Sequence, residues 1–93
     1  MIIGVLTVDL LIPESNSLKD KRQVVKSLVE GARNRFNISV AEIDDLNKWR
    51  SAVIGAACVS NDKKVANTLL NRVLAFVESD PRSEVSGCRI EFL

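Results

Sequence analysis

The alternation of apolar and polar positions divides the chain into four extended segments and two helices. Residues 2 to 12 (IIGVLTVDLLI) place Ile2, Leu6, Val8, Leu10 and Ile12 on one side of a strand around Gly4, which assigns that side to a core. The odd positions Ile3, Val5, Thr7, Asp9 and Leu11 are also mostly apolar, more than a strand with one face in water requires. Pro13-Glu14-Ser15-Asn16-Ser17 is turn chemistry. Ser17 and Asp20 then form a cap, the hydroxyl accepting an early helix amide and the carboxylate lying at the positive end of the helix dipole. Leu18, Val25, Leu28, Val29, Ala32 and Phe36 fall within an arc of about 100° at helical spacing, so a helix that packs on a sheet runs from Leu18 to Phe36 or Asn37.

Residues 38 to 43 (ISVAEI) read as a second strand, and Asp44-Asp45-Leu46-Asn47-Lys48 as a hairpin into a third, from Trp49 to Ser60. This third strand carries small or apolar residues on both faces, with Val53, Ala57 and Val59 on one and Ala52, Ile54, Ala56 and Cys58 on the other. Ser60-Asn61-Asp62 caps a second amphipathic helix, whose apolar positions run from Val65 to Val77 and which ends before Asp80-Pro81. The last strand, Val85 to Leu93, alternates Cys88, Ile90 and Phe92 inward with Arg89 and Glu91 outward, the pattern of an edge.

The order βαββαβ with right-handed crossovers defines an α+β, ferredoxin-like sandwich: an antiparallel sheet of order 4-1-3-2 with two helices on one face. Ninety-three residues make a single domain, residues 1–93. Strands one and three are the central pair in this order, and they are the two with apolar residues on both faces. The helices cover one face only, so the other face is expected to meet a second subunit, making the protein a homo-oligomer, a dimer or tetramer.

Composition narrows the function classes further. A hydrophobic fraction of 46% with 27% charged residues belongs to a folded globular chain. The net charge of +1 gives no global field for nucleic acid or anionic membrane, so any such affinity must come from a local cluster. The apolar opening run is too short to span a bilayer and lacks the pattern of a secretory signal, so no membrane partner is expected. With only Cys58 and Cys88, the expected location is the reducing cytoplasm, both thiols serving as small core residues without a disulfide.

The segments SLKDKR (Ser17 to Arg22), RFNISVAEID (Arg35 to Asp44), the stretch from Trp49 to Gly55 and VSND (Val59 to Asp62) occur in the order seen in the bacterial YlxP-like family, the domain-of-unknown-function family numbered 503, and the chain resembles it along essentially its whole length. The resemblance implies a ferredoxin-like fold and no assigned activity. Members are often encoded beside translation and ribosome-maturation genes, which points by association to RNA or the ribosome as a partner.

The residues carry one candidate site of substance. Helix one holds Lys19, Lys21, Arg22, Lys26, Arg33 and Arg35 against Asp20 and Glu30, an excess of four positive charges. Lys19, Arg22, Lys26 and Arg33 fall within a stripe of about 60° and are the candidate contacts to RNA or a ribosomal subunit. The same stripe also reads as a solvated face that keeps the chain soluble. Base stacking has little support, because the aromatics are Phe36, Trp49, Phe76 and Phe92, with none inside strands one and three. Ile3, Val5, Leu11 and Trp49 are the candidate oligomer interface, and Trp49 reads either as packing at a subunit boundary or as an exposed anchor.

Enzymatic and ligand-binding classes find fewer residues. The chain has no His and no Tyr, and neither Cys has a CxxC partner, so no enzyme, cofactor or metal site is expected. Glu42, Asp44 and Asp45 form a local acidic group whose spacing matches no metal loop. The turn after strand one carries Glu14 and no cation, unlike the Gly-rich anion loop of an acylphosphatase, and lacks the Gly used by amino-acid-binding regulatory domains. The alternative to an RNA-associated protein is a homo-oligomeric interaction or small-molecule regulatory module with no nucleic-acid role.

Overall fold

The computed structural model describes all residues 1–93, in the order β1 (Ile2–Leu11), α1 (Leu18–Arg35), β2 (Ser39–Asp44), β3 (Ser51–Ser60), α2 (Lys63–Glu78) and β4 (Glu84–Phe92). The strands form one antiparallel sheet ordered β2-β3-β1-β4, as the pattern predicts. Helix α1 packs over β2 and β3, while α2 packs over β1, β3 and β4. Both helices begin on the caps that the sequence supplies. Ser17 Oγ accepts from the Asp20 amide at 3.0 Å, Asp20 Oδ2 accepts from the Asn16 amide at 3.0 Å, and Asp62 Oδ1 accepts from the Lys64 amide at 2.8 Å.

The core lies between helices and sheet. Leu6, Val8, Leu10 and Ile12 from the β1 segment meet Ala52, Ile54, Ala56 and Cys58 of β3, under Val25, Leu28 and Ala32 of α1 and Ala66, Leu70, Val73 and Val77 of α2. Gly4 continues the inward row because α2 approaches there: a Cβ at this position would lie 3.0 Å from Leu70 Cδ1, 3.2 Å from Cys58 Sγ and 3.4 Å from Ala66 Cβ.

Two expectations are corrected. Strand β3 starts at Ser51 rather than Trp49, because Arg50 is drawn off to the β1–α1 turn, its Nε donating to the Ser15 carbonyl at 2.9 Å. Cys88 is exposed rather than a core residue. It pairs with Val8 in register, on the helix side of the sheet, but the helices leave the outermost strand uncovered there. Each edge strand also carries an irregularity that alternation alone does not show: Ile43 is the extra residue between the pairs Glu42–Ile54 and Asp44–Val53, and Ser86 the extra residue between Gly87–Asp9 and Val85–Leu10. The cysteines face Gly4 and Val8 respectively, from opposite sides of β1, and both are free.

Candidate nucleic-acid interface

Lys19, Arg22, Lys26 and Arg33 are all exposed, on the side of α1 turned toward the β2 edge. None of the four forms an ion pair: the pairs in the molecule are Lys21–Glu42, Lys48–Asp45, Arg82–Asp80 and Arg89–Glu91. Arg33 has other work in part, since one of its Nη groups donates to the Val40 carbonyl at 3.1 Å and so covers the open edge of β2. Arg35 leaves the cluster altogether and lies over the Phe76 ring, 4.9 Å from its centroid.

Lys21 is the residue that sequence reasoning misplaces. It counts toward the basic cluster on paper, but it is fully buried in the structure. Its Nζ donates to Glu42 Oε2 at 2.8 Å, to the Asp45 carbonyl at 2.8 Å and to the Leu46 carbonyl at 3.3 Å. The ammonium therefore uses its three hydrogens to lock the β2–β3 hairpin onto the first turn of α1. One signal was available: Lys21 stands four residues before Val25, inside the apolar arc of the helix. Its partner was not visible, because Glu42 faces Lys21 only through tertiary packing.

The same lock disperses the acidic group. Glu42 is taken by Lys21, Asp44 Oδ1 accepts from the Asp45 amide at 2.8 Å, and Asp45 pairs with Lys48 at 3.1 Å. Asp45 takes a positive φ of 60°, an uncommon conformation that these bonds hold in place. No group of three His, Cys, Asp or Glu side chains is arranged to hold a metal ion. Held at one end by Lys21 and at the other by Arg50, the hairpin presents Leu46 and Trp49, 53% and 55% exposed. Trp49 therefore lies in the connection beyond the sheet and not among the sheet-face residues with which it is grouped above.

Ile3, Val5 and Leu11 do share one surface, the sheet face away from the helices. With them stand Val53, Ala57 and Val59 of β3 and Ala41 and Ile43 of β2, and no element of the chain covers them. No helix is long and apolar enough to cross a membrane.

This architecture makes the molecule a small two-layer ferredoxin-like domain with its charge on a helix and its apolar surplus on the bare sheet. The chain belongs to the family described as "Protein of unknown function (DUF503)", whose model matches residues 3–90. It is 36% identical over 90 residues to the uncharacterized protein YlxP of Bacillus subtilis (strain 168), an alignment covering 97% of this chain and 98% of that protein. Among solved structures it is similar to the de novo designed protein Foldit4, with a TM-score of 0.56 and 16% identity over 100% of this chain and 97% of that one. That likeness shows the fold alone.

Proposed function

We propose that this domain is a non-enzymatic cytoplasmic protein that binds RNA, free or within a ribosomal subunit, through the exposed stripe of α1. The observation that carries this reading is that Lys19, Arg22, Lys26 and Arg33 stand along one helix side with no carboxylate paired to any of them. Unpaired cations on a rigid helix suit phosphates spaced along a backbone, and the absence of stacking aromatics on the sheet makes the contact one of charge and shape. An exposed free thiol at Cys88 accords with a reducing compartment.

The test is fluorescence anisotropy of labelled single-stranded and duplex RNA across a salt series, with the wild type and with a variant carrying Lys19→Ser, Arg22→Ser, Lys26→Ser and Arg33→Ser. Four phosphate contacts give a slope of log K on log salt of about −3 to −4, and the variant should lose most of it. Because Arg33 also donates to Val40, the variant should lose about 1–2 kcal/mol of stability and remain folded. RNA binding that is unchanged in the variant would refute the site. No binding by the wild type to RNA or to purified ribosomal subunits would leave the interaction module without a nucleic-acid role.

A further inference from the structure

The bare face of the sheet has a texture of its own. Register aligns Ser39, Ala57, Val5 and Glu91 in one row across the four strands, and Ala41, Gly55, Thr7 and Arg89 in the next. In both rows the β2–β3 half carries short side chains and the β1–β4 half carries longer ones. The short half forms a shallow hollow of about 280 Å³ between Val5, Thr7, Ser39, Ala41 and Ala57, and Ile43 closes one end of it, its side chain lying over Gly55.

We infer that this face is the interface with a second copy of the chain, packed sheet to sheet about a two-fold axis that runs parallel to the strands between β1 and β3. That axis lays β1 of one copy over β3 of the other and β4 over β2. Each row of long side chains then meets a row of short ones: Val5 stands over Ala57, and Arg89 over Ala41. An isologous contact requires a self-complementary surface, and the gradient across these two rows supplies it.

With ten residues in β1 and β3, nine in β4 and six in β2, at about 3.3 Å per residue and about 4.8 Å per strand, the two faces together bury roughly 1,100 Å², just above the roughly 1,000 Å² that a specific interface must clear. Arg89, exposed beside Glu91, is carried to the β2 rim of the second copy, where Asp44 is exposed. Asp9 is the carboxylate that such an interface must not bury. Its Oδ2 lies 3.2 Å from where a Cβ on Gly87 would stand, so it leans toward the β4 rim; the axis brings Asp44 of the second copy to the same rim, and Arg89, which lines one hollow with Asp9, is the cation that must serve both carboxylates. The helices form the outer layers of such a dimer, which leaves the α1 stripe of each copy free.

Sedimentation equilibrium from low to high micromolar protein tests the inference, with wild type, Val5→Lys and Ala41→Arg. Ala41 is exposed and outside the core, so Ala41→Arg keeps the fold, which circular dichroism checks. The orientation is tested by air oxidation of a chain carrying Ala41→Cys and Arg89→Cys with Cys88→Ser. Within one copy these positions are three strand spacings apart, about 14 Å, beyond the roughly 7 Å reach of a disulfide. A wild-type dimer, folded monomers for both charge variants, and a disulfide-linked dimer of the cysteine chain are the expected results. A wild-type monomer at high micromolar concentration would overturn the inference and leave the face to a different partner. A dimer indifferent to both charge variants, or one that never cross-links, would overturn it as well.

Discussion

Replacing Lys21 by Met keeps the length of the side chain but removes the charge that three acceptors share. Glu42 Oε2 and the carbonyls of Asp45 and Leu46 would lose a donor at 2.8, 2.8 and 3.3 Å. Breaking a buried ion pair from one side costs about 3–5 kcal/mol, because the partner stays buried without its counter-charge. Glu42 keeps 14% of its side-chain surface in contact with water, which sets the expected loss near the bottom of that range, about 3 kcal/mol. A domain of this length has roughly 5–14 kcal/mol in total, so the change is a large part of the whole. Each kcal/mol shifts the melting temperature of a domain this size by about 4–8 °C, so Lys21→Met should melt roughly 12–24 °C below the wild type. Urea unfolding followed by far-ultraviolet circular dichroism gives the free energy, and adding Glu42→Leu to Lys21→Met should recover part of it, since an apolar pair leaves no unpaired carboxylate. Because Lys21 does not reach the surface, its replacement should also leave the salt dependence of any RNA binding unaltered. A single variant within about 1 kcal/mol of the wild type would refute the reasoning, and would mean that the ammonium is readily replaced by water.

Three further outcomes follow from the packing. Gly4→Val puts a branched side chain where Leu70, Cys58 and Ala66 already stand within 3.4 Å of the new Cβ, and chemical denaturation should report a loss of about 1–3 kcal/mol. The Arg82 guanidinium donates to Asp80 and holds its carboxyl below the ordinary aspartate range. A carboxyl depressed in the folded state stabilises above the unfolded value, near about pH 4, and that stability is lost as pH falls through the folded value. Asp80→Asn should accordingly flatten the acid fall of the urea midpoint below about pH 4, and an unchanged acid limb would count against the pair. Iodoacetamide followed by mass spectrometry should label Cys88 readily in the native protein and Cys58 only on unfolding, since Cys58 is 5% exposed under α2 and Cys88 is open.

Alternation along β1, the Ser17 and Asp62 caps and the apolar arcs of both helices are local properties, set by neighbours within a turn or a strand. They determined element order, sheet order and the inward rows of β1 and β3 before any packing was known. The apolar surplus of the odd β1 positions was legible in the same way, and so was the exposed stripe of α1, because a helix face follows from spacing alone. What alternation could not decide was anything that depends on which surface a side chain meets. Lys21 reads as one more cation of a basic helix, and only the approach of β2 shows that Glu42 and two hairpin carbonyls surround it. Cys88 reads as an inward residue, and only the reach of the helices shows that β4 is left uncovered at that position, while Ile90 and Phe92 farther along it are half-buried. Trp49 reads as the first residue of the third strand, grouped with Ile3, Val5 and Leu11 as interface, and only the bonds from Lys21 and Arg50 to the two ends of the hairpin take it off the sheet. In each case the deciding contact spans more than 20 residues of chain or lies at an edge, where burial is a property of the assembled layers and not of the residue.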